Sequence, residues 1–459
     1  MKKLLLFFAL IMSIFVTTQA GYVIRGINIS IRPDNLMNYT LALDDTDNPI
    51  VAASMFTTWG GGYGRNTIVL VWPGITPGPI FYPCFPISFP AIPNDYFNIN
   101  VRDFQYIPAF NKYVLCGSRE TETYSRAFFA VIDIPTMTMD YNEYPEADIF
   151  YSLWADDATY PTALNYLVCG SSSRYGAIAS ISPIDLSLSG LSTTNIAWEY
   201  NKIIAVSPYQ HYPRFVVSGK DPGCTQIGFT AFDYHFSTIN NYVWEQLTEP
   251  ASLCVVGNHI TNSNRIIIAS SYQASLTLNP IDVFGPLFTW ISAYQFGFIS
   301  TQFDAYKVQD IGLFVKEDVE NPRISVVGFF ERTPSAAWHG HLFGLNATNT
   351  MTNNYFFGPT GSYKHYKVKC NQQGDDFTGG HYQSGLQMGA LFGTPLTPAW
   401  CDNILPSGIP GIIQLPWTSF SLVARMTAFR ILRPFSYEPI SLPAYIDCTP
   451  FKGDEETSE

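Results

Sequence analysis

The five residues Tyr166-Leu167-Val168-Cys169-Gly170 decide how this chain is read. They form a short apolar run closed by a small residue, the shape of a buried strand running into a turn. The same shape stands at IVAAS (50–54), YVLCG (113–117), FVVSG (215–219), IIIAS (266–270), ISVVG (324–328) and DFTGG (376–380). Successive copies end 49 to 63 residues apart, and self-similarity at so steady a period marks a repeat architecture.

Working outward, each copy has the same neighbours. An apolar run precedes it, as in YTLAL (39–43), VRDF (101–104), SLWA (152–155), IIAV (203–206), LCVV (253–256), GLFV (312–315) and YKVKC (366–370). Turns such as TDNP (46–49) and VENP (319–322) lie between the two runs, and their Asp, Asn and Pro supply hairpin dihedrals. A polar loop follows, then a third apolar run such as FFAVIDI (128–134) or GFTAFDY (228–234). A fourth, weaker run often carries Trp or Phe, as in IAWEY (196–200) and YVWEQ (242–246).

Four short strands per unit and seven units predict an all-β, seven-bladed β-propeller with four-stranded blades and a repeat of about 50–55 residues. A sheet of that size cannot bury both faces alone, whereas radial neighbours cover each other and ring closure removes the exposed ends. Tandem β-sandwiches are the alternative, with short strands but no reason for one pattern to recur seven times. The hairpins resemble the degenerate propeller repeats of proteins secreted by Gram-negative bacteria, over roughly residues 35–400. That resemblance implies a fold and not an activity. No regular Trp-Asp closes each repeat, no kelch-type Gly-Gly stands at every blade, and no sialidase-type box is present. Ring closure is expected to draw on both termini, with residues 22–32 and roughly 418–432 as the candidate strands.

Composition agrees. Aromatic residues make up 15% and charged residues only 14%, which favours many short strands over amphipathic helix. Lys2 and Lys3, the apolar run Leu4–Val16 and Thr18-Gln19-Ala20 read as a signal peptide over residues 1–20, cleaved before Gly21. The expected location is therefore secreted or periplasmic. Residues 21–445 are expected to form one propeller domain, and residues 446–459 an acidic, disordered tail. The net charge of −12, two units more negative once Lys2 and Lys3 are removed, argues against nucleic acid as a partner. No apolar run beyond the leader is long enough to span a bilayer. A monomer is expected.

Eight cysteines in a secreted chain permit disulfides. Cys116 and Cys169 occupy equivalent strands of adjacent units, too far apart to bridge, whereas Cys370 and Cys401 fall within one unit. His339-Gly340-His341 puts two imidazoles on one side of a strand, but two ligands do not make a metal site, and no metal or cofactor is expected. The acidic pairs Asp44-Asp45, Asp156-Asp157 and Asp375-Asp376 are explained by turns. No catalytic constellation stands out.

The loops between second and third runs carry the clearest concentration of recognition chemistry. They hold Arg65, Arg119, Arg126, Arg174, Lys220 and Arg332, with Trp59, Tyr175, Trp338 and Tyr382 among their aromatic rings. Planar guanidinium forks bind carboxylate or sulfate, and aromatic faces stack on sugars. The expected function is a non-enzymatic binding or scaffold protein, taking an acidic glycan, another anion or a protein ligand at a loop-lined mouth. A carbohydrate-active hydrolase or lyase using the same mouth is the alternative.

Overall fold

Each of the seven apolar runs closed by a small residue is the second strand of an antiparallel sheet. The computed structural model describes the backbone of strands between Gly21 and Asp447. It describes side chains chiefly over residues 99–155, 165–205, 215–223 and 228–232, with a few at 40–43, 310, 325–328, 367–370 and 377. Among the described residues the strands group into seven sheets, each with a core of four antiparallel strands, the fourth of the seventh sheet coming from the N-terminal Gly21–Asn28.

The first sheet contains Tyr39–Leu43, Pro49–Trp59, Tyr63–Val71 and Cys84–Pro86. Phe97–Ile107, Lys112–Thr121, Ser125–Asp133 and Thr138–Tyr144 make the second. The third has Ile149–Trp154, Tyr166–Ser172, Tyr175–Ile181 and Leu188–Ala197. The fourth has Glu199–Tyr209, Tyr212–Lys220, Gln226–Phe232 and Thr238–Glu245. The fifth, sixth and seventh begin with Thr248–Asn258, Phe303–Phe314 and Ser362–Cys370. Each first strand packs against the first strand of the next sheet, and that of the seventh packs against Tyr39–Leu43 of the first.

Gly21–Asn28 pairs with Gln387–Leu396 and completes the seventh sheet, so the N-terminal candidate for closure lies where it was expected. The C-terminal candidate does not share that role. Its Leu422–Ala424 pairs instead with Ser192, Thr193 and Thr194, on the open edge of the third sheet, where an outermost strand offers unpaired backbone groups. A later strand, Leu442–Asp447, joins Gly21–Asn28. IAWEY is also split rather than one strand. Ala197 ends the third sheet, Glu199 starts the fourth, and buried Trp198 turns the corner with its N–H donating to the Arg174 carbonyl at 2.8 Å.

The small residue closing each run has a steric cause. The first strand carries a register shift at the same place in sheet after sheet: Val101/Asp103, Phe150/Ser152, Tyr200/Lys202, Val308/Asp310 and His365/Lys367. Such bulges push the backbone toward its neighbour. A Cβ on Gly117 would run into the Asn100 carbonyl, and one on Gly170 into the Ile149 carbonyl.

Side chains alternate between the two faces of the third sheet, and both of its faces are covered. Between the second and third sheets lie Val114, Cys116, Phe129, Tyr144, Phe150 and Val168. Between the third and fourth lie Leu167, Cys169, Ile178, Trp198, Phe215 and Val217. Rings meet across both boundaries, Phe129 with Tyr166 and Trp154 with Phe215, each at 5.0 Å between centroids. Cys116 and Cys169 thus stand at equivalent places on successive sheets and are not bonded to each other. Burial pushes both thiols up. The Cys370–Cys401 pairing falls on Cys401, which lies outside the described residues. The one helical turn among the described residues is Pro108–Phe110, and no helix there is long and apolar enough to cross a membrane.

Candidate functional site

Two regions carry polar chemistry: the face formed by the turns between second and third strands, and the centre of the ring where first strands meet.

On the turn face the second and third sheets are laced together by short connections. Ser172 Oγ donates to the Glu146 carbonyl at 2.7 Å, Asp148 N–H to the Ser171 carbonyl at 2.9 Å, and Ser125 Oγ to the Asp148 carbonyl at 2.7 Å. Most of the cations expected on loops stand on the strands flanking tight turns. Arg119, near the end of Lys112–Thr121, is buried and ion-paired, its Nη1 3.1 Å from Glu143 Oε2 with side-chain exposures of 8% and 3%. Tyr141 Oη also donates to Glu143, at 3.1 Å. Arg119 therefore serves the sheet rather than an open mouth.

Arg126 differs. It is half-buried, its guanidinium lies 4.6 Å from the centroid of the Tyr124 ring, and it has no carboxylate partner among the described residues. Arg119 approaches the same ring at 5.6 Å. Ser173 and Arg174 form a two-residue turn with φ of 49° and 79°, the left-handed pair that tight hairpins require. That turn projects Arg174 into solvent beside half-buried Tyr175, and Arg174 too has no carboxylate partner among the described residues. Lys220 stands opposite Glu199 in register. For Trp59, Arg65, Arg332, Trp338 and Tyr382 the strand backbone places each beside the corresponding turn of its own sheet, and their side chains lie outside the described residues.

The centre of the ring holds a cluster that the sequence reading did not single out. Asp103, Lys202, Asp310 and Lys367 each follow the bulge of a first strand, in the second, fourth, sixth and seventh sheets. Asp103 Oδ2 accepts from Ser152 Oγ at 2.7 Å and Leu153 N–H at 3.0 Å, and its Oδ1 lies 3.5 Å from Lys367 Nζ. Asp310 Oδ1 accepts from Lys202 Nζ at 3.3 Å and Oδ2 from Val368 N–H at 3.2 Å. Neither ion pair joins adjacent sheets: Lys202–Asp310 runs from fourth to sixth, Lys367–Asp103 from seventh to second.

Burial alone would raise the Asp103 carboxyl, but Lys367, Lys202, Lys369 and the Ser152 hydroxyl outweigh it and hold the group below the usual range. Asp310 is lowered by the same contest, burial against Lys202, Lys367 and Lys369. Lys202 goes up, since Asp310 and Asp103 outweigh the cost of burial. At the bulge itself Arg102 sits 5.5 Å from the centroid of Tyr151, with no hydrogen bond among the described residues. Burial raises the Tyr151 phenol, and Glu199, Arg102, Lys220 and Glu120 act on it from around. The available signal for this cluster was a charge inside an otherwise apolar first run, in VRDF, NKIIAV, VQDIGLF and YKVKC.

No family model matches the chain, and no curated protein matches it. A solved structure described as "Structure of Dos1 propeller" is similar at 10% identity and a TM-score of 0.44, covering 82% of this chain and 96% of that one.

Proposed function

We propose that the chain is a secreted, monomeric, seven-bladed β-propeller of the bacterial repeat type, that it binds rather than catalyses, and that its ligand is an acidic glycan or similar anion held on the turn face. Seven described sheets, each packed on the next and the last on the first, support the ring. Tandem sandwiches would instead pair sheets face to face in separate groups. The observation carrying the functional reading is the pair Arg126 and Arg174, beside Tyr124 and Tyr175, with no carboxylate partner among the described residues of an acidic chain. Unspent guanidinium forks next to ring faces suit carboxylate or sulfate groups on a sugar.

The test is calorimetric titration of the mature chain with uronic-acid and sulfated oligosaccharides, with chromatography of the same mixtures. Saturable binding that weakens as salt rises is expected. An Arg126→Ala/Arg174→Ala double variant should bind at least tenfold more weakly, since a charge-assisted contact contributes about 1.5–3 kcal/mol. Released fragments would replace this reading with the hydrolase or lyase. Absence of binding by the parent, or unchanged binding by the double variant, would overturn it.

A further inference from the structure

Among the described residues, the cluster at the centre of the ring does not balance. Besides Lys202 and Lys367 it contains Lys369, two residues further along the same strand and so on the same side as Lys367. Its electrostatic neighbours are Lys202, Asp103, Asp310 and Lys367: three ammonium groups against two carboxylates. The carboxylates are already occupied. Asp103 takes Ser152 and Leu153 on one oxygen and Phe104 N–H and Lys367 on the other. Asp310 takes Lys202 on one and Val368 on the other. Lys369 itself has no hydrogen bond or ion pair among the described residues.

Its own layer offers no remedy. The positions equivalent to Lys369, two residues past the bulge or its counterpart in the other first strands, are Leu41, Gln105, Trp154, Ile204, Cys254 and Gly312. None is acidic, and Gln105 is committed to the Ala155 backbone through both ends of its amide, at 2.9 and 3.0 Å. Yet the site is not sealed. Lys369 is half-buried, and Lys202 and Lys367 keep 13% and 12% of their side-chain surface open. A buried charge without a partner is costly, and a small counterion that can enter removes the cost.

We propose that the centre of the ring binds one small oxyanion, a carboxylate or phosphate-like group, held by Lys369 with Lys202 and Lys367 as the surrounding positive field. The site is separate from the turn face, and its ligand is small because it must fit among the first strands. Burial and the repulsion of Lys202 lower the Lys369 ammonium, and Asp103 and Asp310 offset this only in part.

The experiment follows thermal unfolding of the mature chain in phosphate or acetate, with ionic strength held constant by sodium chloride. The midpoint should rise saturably with one of the two anions, since a ligand that binds only the folded state stabilises by mass action. Lys369→Met should lose that shift or need at least tenfold more anion, whereas Lys369→Arg should retain it. A parent with no saturable response, or a Lys369→Met variant that responds as the parent does, overturns the proposal. Should Lys369→Met fail to fold, crystals of the parent grown in bromide decide by anomalous scattering. A peak within reach of Lys369 Nζ supports the site, and its absence there refutes it.

Discussion

Single residues separate what holds this ring from what it offers to solvent. Gly117 and Gly170 face carbonyl oxygens of the bulged strand beside them, and neither backbone can retreat without disturbing the adjacent sheet. Gly117→Ala should therefore destabilise by about 1–3 kcal/mol or more, as overpacking does, measured by urea unfolding. Arg119 and Arg126 lie opposite each other in register and share Tyr124, yet they should respond in opposite ways. Arg119→Ala strands Glu143 in a buried place, and removing one partner of a buried pair costs about 3–5 kcal/mol. Arg126→Ala should stay within about 0.5 kcal/mol of the parent. A melt in which both substitutions are equally mild would show that the Arg119–Glu143 pair contributes little.

At the scale of elements, the first three strands of the units were legible in the sequence because they read as apolar runs, and in the second and third sheets the second and third strands are buried along most of their length. Fourth strands were less so: YVWEQ falls in Thr238–Glu245, but IAWEY straddles two sheets. They lie at the edge of the sheet and alternate, as Leu188–Ala197 does with Gly190, Leu191, Thr193 and Thr194 buried but Ser189 and Asn195 exposed. A run centred on Trp198 therefore looked like a strand although it is a corner. The candidate site was legible only as composition. Periodicity places Arg119 near a turn, but only Glu143, two strands across the sheet and 24 residues away, shows that its charge is spent. The central cluster joins sheets that are not neighbours, so no local pattern could assemble it. Gly21–Asn28 offers a test at this scale. It covers the edge of Gln387–Leu396, so a chain starting after Asn28 should expose a strand edge. Such a chain is expected to melt at lower temperature and to elute from size-exclusion chromatography as dimers or larger species. A monomer with the parental midpoint would show that this strand is dispensable for closure.

For the whole molecule, the two central ion pairs act as cross-ties: each spans a skipped sheet, and together they engage the second, fourth, sixth and seventh. Their titration makes ring stability depend on pH in a direction that can be worked out. Asp103 and Asp310 have folded-state values below the ordinary Asp value of about 3.9, so in acid the unfolded chain binds more protons. Their contribution is complete above that value and is lost as pH falls below it toward their folded values. Lys202 is raised, so its contribution is complete below the ordinary Lys value of about 10.4 and is lost as pH rises past it. Lys369 has the opposite sign. Its folded value is lowered, so its charge opposes folding at neutral pH, and the penalty fades as pH rises toward 10.4. Two variants separate these terms. Asp103→Asn should cost about 3–5 kcal/mol at pH 7, because Lys367 then loses its buried partner, and the acid limb of the melting profile should flatten. Lys369→Met, in a buffer free of small oxyanions, should melt higher than the parent at pH 7, with the advantage shrinking by pH 10. A Lys369→Met variant less stable than the parent at both pH values would mean that the lysine is compensated within the protein, and that the centre of the ring carries no surplus positive charge.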